Sequence, residues 1–322
     1  MFNSLHPSTH WDMPPKSRLS AFLAQQPVRT RIAPSPTGHV HLGTVRTALH
    51  NYLAAKASRG QFVLRIDDTD DKRNDASHVD LIHHCLDLFQ LKPDLVFHQS
   101  ARRDHHQQAA QVLLDKGWAV QDGNAVRLAP QARSLAPSQF FDLASGVCTI
   151  SDTFLDQADN LVLMRSDGSP TYHFASIVDD IDTHINLIIR GMDHLSNVPK
   201  QLIIASALAQ ANYPNAQHFL DHLMWAHVGL IMHQKKKLSK RDDASNVLQY
   251  LQQGVDPGVL LQWALPLGWG HPDAQFDRHY PVLTLDDMPD VFAQGGLRSS
   301  NCNLNGDKLP ALMKKWKARF PQ

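Results

Sequence analysis

Residues 28–44 read Val28-Arg-Thr-Arg31-Ile-Ala-Pro34-Ser35-Pro-Thr-Gly38-His39-Val-His41-Leu-Gly43-Thr44, and this stretch decides the fold. Residues 28–33 alternate like a short strand, and Pro34 to Gly38 supply turn chemistry. Beyond them Val45, Ala48, Leu49, Tyr52 and Leu53 recur on one helical face, and Gly60 closes that helix. Gln61 to Ile66 is a second apolar strand, which ends in the acidic run Asp67-Asp68-Thr69-Asp70. Val79, Ile82, Leu86 and Phe89 form another helical stripe, and Leu95 to Phe97 a third strand. Strands alternating with helices predict an α/β fold with a doubly wound, Rossmann-like parallel sheet and right-handed crossovers. Such sheets bind ligands beyond the carboxyl ends of their strands, where the Pro34–Gly38 turn and the acidic run both fall.

From 104 to 157 the pattern blurs, as expected of an insertion between two halves of a sheet. Regularity returns with a strand at 186–189, a helix at 199–209 with proline in its first turn, and a strand at 225–232. A basic loop, Lys235 to Arg241, follows, and 246–322 alternates helical stripes with loops. Residues 1–28 carry three prolines before Arg18 and weak periodicity, which predicts an extension outside the fold proper. The expected organisation is therefore 1–28 extension, 29–103 first half of a nucleotide-binding domain, 104–157 short insertion, 158–245 second half with the basic loop, and 246–322 helical appendix.

The chain has 322 residues, of which 43% are hydrophobic, enough for a sizeable core and against wholesale disorder. Lys+Arg and Asp+Glu both number 31, so any nucleic-acid contact must rely on local basic patches. Cys85, Cys148 and Cys302 stand far apart with no CxxC pair, which disfavours a disulfide framework and a structural zinc and suits a reducing cytoplasm. His83 and Cys85 lie on nearly opposite faces of the predicted helix, so Cys85 reads as a packed residue and no metal site is expected. No apolar run reaches membrane-spanning length, and no signal-peptide core opens the chain.

Two constellations carry chemistry. In the first, glycines and a helix start after the Pro34–Gly38 turn offer unpaired N–H groups to an anion, and a histidine can bond phosphate oxygens. Taken alone, His41 reads as a surface histidine. In the second, Lys235-Lys-Lys237-Leu238-Ser239-Lys240-Arg241 places five basic residues in seven, a loop able to hold a polyphosphate as charge develops. Taken alone, it reads as a solvated charge run.

Together they resemble the two signature motifs of class I aminoacyl-tRNA synthetases: His41-Leu42-Gly43-Thr44 the HIGH type, and Lys237-Leu238-Ser239-Lys240-Arg241 the KMSKS type. The detail is similar to the glutamyl branch, through TRIAPSPTGHVHLGT, FVLRIDDTD, LVLMRSDGSPTYHFASIVDD, IIRGMDHL and ALPLGW in collinear order from Arg29 to about Asn303. The resemblance implies that His41, Gly43 and Thr44 contact ATP phosphates and ribose. It implies that Lys240, with Lys237, Ser239 and Arg241, stabilises the leaving pyrophosphate. Arg31 would read the substrate's side-chain carboxylate, with Arg190, Ser35 and Tyr172 completing the amino-acid pocket; a guanidinium fork suits carboxylates. Taken alone, Arg190 fits a structural ion pair as well as a substrate contact.

Three departures from the family pattern stand out. Asp67 replaces the glutamate of the family's R-I-E-D-T-D run, whose carboxylate receives the substrate amino group, so that arm is one methylene shorter. Only WAVQDGNAV stands between Gly117 and Val126, where the family often carries a cysteine-bearing, frequently zinc-bound module. The resemblance ends soon after Leu297, so the family's anticodon-binding domain is expected to be absent, as in glutamyl-queuosine tRNA(Asp) synthetases.

The reaction implied is ATP- and Mg²⁺-dependent activation of an amino acid, L-glutamate first, followed by transfer to a tRNA by a monomeric cytoplasmic enzyme. The alternatives are transfer to a queuosine base, transfer to a non-tRNA acceptor, and a non-catalytic regulatory paralogue. Intact His41, Gly43, Lys237 and Lys240 argue against the last.

Overall fold

The computed structural model describes residues 13–36, 40–69, 75–156, 160–233, 236–238, 246–273, 275–276 and 281–321. Its central strands are apolar on both sides because both faces of the sheet are covered. Phe62, Leu64, Leu187 and Ile189 point into one buried cluster, whereas the intervening Val63 and Ile188 point into another. The sheet comprises β1 (Arg29–Ile32), β2 (Gln61–Ile66), β3 (Leu95–His98), β4 (Gln139–Asp142), β5 (Gly146–Thr149), β6 (Leu187–Gly191) and β7 (Met224–Val228). Their spatial order is β3-β2-β1-β6-β7-β4-β5, parallel throughout except for the β4–β5 hairpin. The chain reverses its direction of winding between β1 and β6, which opens a crevice at their carboxyl ends.

One face is covered by α2 (Leu42–Ala57) and α3 (Ala76–Leu88), and the other by α4 (Arg103–Asp115), α5 (Tyr172–Asp182) and α6 (Val198–Gln210). The doubly wound α/β architecture expected from the pattern is the one observed.

Four details differ from the sequence-based picture. First, α1 (Pro15–Gln25) is packed rather than outlying: Leu19, Phe22 and Leu23 share a helical face and are buried in the first cluster. Second, within 104–157 the hairpin β4–β5 belongs to the central sheet, while 125–128 pairs with 119–122 on one side and Val162–Met164 on the other in a small separate sheet. The short segments of that region conceal their partners, because strands of four residues carry little periodicity. Third, the apolar run 225–232 is two strands. β7 ends at Val228, and Ile231–His233 joins Cys302–Asn303 in another sheet. Gly229 is the break: a Cβ there would stand 1.9 Å from the Ser300 carbonyl oxygen, so only glycine lets the two backbones meet. Fourth, the helices after 246 are not an appendix, since Leu260, Trp269, Met288 and Phe292 sit in the first cluster against α2. Among the described residues no helix is long and apolar enough to cross a membrane.

Candidate active site

The crevice between β1 and β6 holds a cleft of about 670 Å³ whose walls include Arg31, Ser35, His41, Gly43, Thr44, Tyr172, Arg190 and Lys237. Residues from four separated parts of the sequence thus converge on one cavity. Of the remaining candidates, Ser239, Lys240 and Arg241 lie outside the described residues. Asp67 is described but does not line the cleft.

The helix-start end of the cleft is built by His41, the N-cap of α2. Its backbone is extended at φ −110°, and its Nδ1 accepts the Thr44 N–H at 3.2 Å. The cap depends on glycine two residues on: a Cβ at Gly43 would come within 2.9 Å of the His41 ring. No acidic side chain occupies the first turn of α2, so the positive end of its dipole is uncompensated from within the helix. Leu238 is buried beside it, donating its N–H to the Ile231 carbonyl, and Asn246 forms a backbone bridge with His41. Leu238 and Asn246 are therefore held against the cleft and against His41. Lys237 donates to Asp193 Oδ2 at 2.7 Å in a half-exposed pair.

The opposite end is a face of the sheet lined with arginines. Thr30 lies opposite Leu187, so Arg31 falls opposite Ile188 and Arg190 two residues further along. Side chains alternate along strands, so Arg31 and Arg190 share a face, with Cα atoms roughly 8 Å apart. Arg65 on β2 shares it too. Asp180 of α5 accepts from Arg31 Nε at 3.1 Å and Nη2 at 3.2 Å, and from Arg65 Nη1 at 2.7 Å. The other side of the Arg65 fork is taken by Asp67, at 2.6 Å from Nε. Burial pushes the Asp67 carboxyl up, and Arg65 offsets part of that push. The chain of contacts Arg31–Asp180–Arg65–Asp67 thus spends the Asp67 carboxylate on a neighbour two residues away.

Arg190 is held differently. Its Nε donates to His227 Nε2 at 2.9 Å, and its Nη2 donates to Gln201 Oε1 at 2.9 Å and the His194 carbonyl at 3.3 Å. Its guanidinium carbon lies 4.7 Å from the centroid of the Trp225 ring. Among the described residues no carboxylate pairs with it, and its buried Nη1 has no hydrogen-bond partner. The ion pair that Arg190 could equally have made is absent there. Burial, with Arg31 adding repulsion, pulls its pKa down to about 10, which leaves it cationic at neutral pH. A buried, unpaired charge with an orphaned donor is costly unless an anion completes it.

Sequence reasoning missed Asp193, His194, Asp180, His227 and Asp142. A signal existed for His227, a lone polar residue in the apolar strand Trp225–Val228, but its partner depends on strand register. Cys85 is 2% exposed, and burial raises its thiol to about 12, as befits a packed cysteine. Among the described residues no group of three or more His, Cys, Asp or Glu side chains is placed to hold a metal ion. The one carboxylate among them that lines the cleft, Asp193, is engaged by Lys237. The described residues of the cleft do not fit a protein-held Mg²⁺.

Comparison with known proteins identifies a family for the chain. The family described as tRNA synthetases class I (E and Q), catalytic domain, matches residues 27–125 and 121–279. The chain is 35% identical over 286 residues to glutamate–tRNA ligase 2 of Neorickettsia sennetsu, covering 88% of this chain and 65% of that protein. It is 33% identical over 317 residues to glutamate–tRNA ligase 1 of Alkalilimnicola ehrlichii, covering 88% and 64%. The chain thus spans just under two thirds of the length of these relatives. Its fold is similar to that of a glutamate tRNA ligase from Elizabethkingia meningosepticum, solved in complex with its amino acid. That match has a TM-score of 0.76 at 24% identity and covers 92% of this chain and 70% of the other.

Proposed function

This chain belongs to the class I tRNA synthetases of the glutamate and glutamine (E and Q) branch, and from that premise we propose that its cleft activates L-glutamate with ATP and passes the glutamyl group to a tRNA. The observation that carries the reading is the orphaned Nη1 of Arg190, a buried cationic donor with no carboxylate partner among the described residues. Arg31 on the same sheet face supplies a second guanidinium, of which Asp180 uses two nitrogens. Two guanidiniums on one sheet face, carried by residues whose Cα atoms are roughly 8 Å apart, suit a small dicarboxylate, which each can meet at one end.

In this reading the substrate's α-carboxylate oxygen attacks the α-phosphorus of ATP in line. The new O–P bond forms as the bond to the bridging oxygen breaks, and pyrophosphate leaves with that electron pair. No side-chain nucleophile is required; positioning and charge stabilisation carry the step. The N-terminus of α2, capped by His41, receives phosphate oxygens, and Lys237 and Lys240 neutralise the departing pyrophosphate. A tRNA hydroxyl then attacks the acyl carbon and AMP departs. Asp67, which pairs with Arg65 and does not line the cleft, is not assigned the substrate amino group in this reading.

The test is ATP–pyrophosphate exchange over a panel of amino acids with and without tRNA, followed by transfer of labelled glutamate to bulk tRNA. Glutamate-dependent exchange and label on tRNA support the reading. Exchange with no amino acid, or a faster rate with another one, overturns it.

A further inference from the structure

Three adjacent strands carry a buried row of side chains that ends on the orphaned arginine. On β4, Asp142 accepts four hydrogen bonds. Its Oδ1 takes the N–H groups of Ala144 and Ser145, both at 2.9 Å, and its Oδ2 takes the His227 N–H at 2.9 Å and Nδ1 at 2.7 Å. On β7, His227 lies directly opposite Arg190 of β6 in the strand register. Asp142 and His227 are both 0% exposed.

We propose that Asp142 and His227 are positioning residues for amino-acid recognition: Asp142 fixes the His227 tautomer, and His227 fixes the Arg190 guanidinium so that Nη1 alone is offered to a substrate carboxylate. This rests on the amino-acid-activating reading above. The chemistry follows from what each group can donate. An ionised carboxylate only accepts, so the His227 nitrogen facing Asp142 must carry the hydrogen. The other ring nitrogen, Nε2, is then a lone pair, the one form able to accept the Arg190 Nε–H. With Nε on His227 and Nη2 on Gln201 and the His194 carbonyl, the planar fork has one orientation.

The neutral form of His227 is protected as well as required. A protonated ring would turn a donor towards the Arg190 N–H. Burial holds the ring below the ordinary histidine range, with Arg190 and Arg31 adding to it and Asp142 opposing. On the other side, hydrogen bonds from His227 and the Ser145 amide keep Asp142 ionised although burial pushes its carboxyl up. Trp225 stacks on the His227 ring at 5.8 Å and lies under the guanidinium, closing the row to water.

The experiment is amino-acid-dependent ATP–pyrophosphate exchange on the full chain, with the Michaelis constants for amino acid and ATP measured separately. His227→Phe keeps the ring volume and removes the acceptor. It should raise KM for the amino acid about tenfold or more, the cost of one lost charge-assisted hydrogen bond, and leave KM for ATP within about twofold. His227→Gln returns an amide oxygen near the Nε2 position and should bring the amino-acid KM to within about threefold of wild type. Asp142→Asn puts an NH₂ group against Nδ1, favours the wrong tautomer and should mimic His227→Phe. An unmoved amino-acid KM in His227→Phe overturns the proposal, as does a parallel rise in both KM values that His227→Gln does not rescue. Where His227→Phe yields no folded protein, the other two variants decide by the same split: Asp142→Asn must raise the amino-acid KM and His227→Gln must not. Wild-type protein that shows no amino-acid-dependent exchange defeats the functional reading itself, whereas wild-type exchange with unmoved variants defeats only the positioning role.

Discussion

Arg31 and Arg190 stand on one face of one sheet, on neighbouring strands, yet their surroundings differ in charge. Arg31 meets Asp180, which also serves Arg65, so two cations share one carboxylate there and Asp67 balances the second. Arg190 meets only neutral acceptors: an imidazole, an amide and a carbonyl. The first site is a charge-balanced ion network, in which Asp180 already takes two of the Arg31 nitrogens. The second is oriented but uncompensated, and its charge remains available. The difference shows that burial and geometry alone do not tell how much of an arginine's charge is left for a ligand; the charge of the partners does.

The comparison breaks most visibly at Asp180. Asp180→Ala leaves two buried guanidiniums facing each other, so unfolding free energy should fall by about 3–5 kcal/mol. Denaturant unfolding measures it, and a loss below about 1 kcal/mol would mean that the network is solvated rather than closed.

A sharper cut compares the two arginines directly. Arg190→Gln should lower kcat/KM for glutamate in pyrophosphate exchange by about 10²–10³, because a preorganised, undivided charge is lost. Arg31→Gln should lower it by roughly ten- to a hundredfold, since Asp180 already screens that cation. Equal losses, or the reverse order, would show that the charge of the anchoring groups is irrelevant.

Acid should reach the Arg190 side through buried His227, whose Nε2 accepts the Arg190 Nε–H directly. The His227 pKa in the folded chain lies below its unfolded value near 6.5, so the unfolded chain binds the extra proton first. Stability from this residue is therefore complete above about pH 6.5 and declines as pH falls, by up to about 1.4 kcal/mol per pH unit. His227→Gln should flatten that part of the pH–stability curve relative to wild type. His50, which burial, and after it Arg46, lower to about 3, contributes a parallel slope that the variant leaves in place. An unchanged curve in the variant would show that His227 titrates normally.

The smallest effect belongs to Asp193 and Lys237. Their side chains are 38% and 53% exposed, so Asp193→Ala should cost no more than about 1 kcal/mol of stability in thermal or chemical unfolding. A larger loss would place the anchoring of the basic segment in this pair rather than in buried Leu238.

By itself the sequence determined the doubly wound sheet and the helix that follows the Pro34–Gly38 turn, and the grouping of the separated motifs followed from their resemblance to a family. The sheet and the helix rest on local periodicity and turn chemistry. Gly43 was legible for the same reason, although the contact that demands glycine, the His41 ring, appears only in three dimensions. Tertiary structure alone decided that α1 belongs to the core and that the run 225–232 divides at Gly229. It also showed the Asp67 carboxylate turned towards Arg65 rather than the cleft. It alone distinguished Arg31 from Arg190. Whether an arginine is neutralised depends on carboxylates from other elements: Asp180 lies 149 residues from Arg31 in the chain, and Asp142 reaches Arg190 only through His227. Strand register and helix packing set those encounters, and no local pattern encodes them.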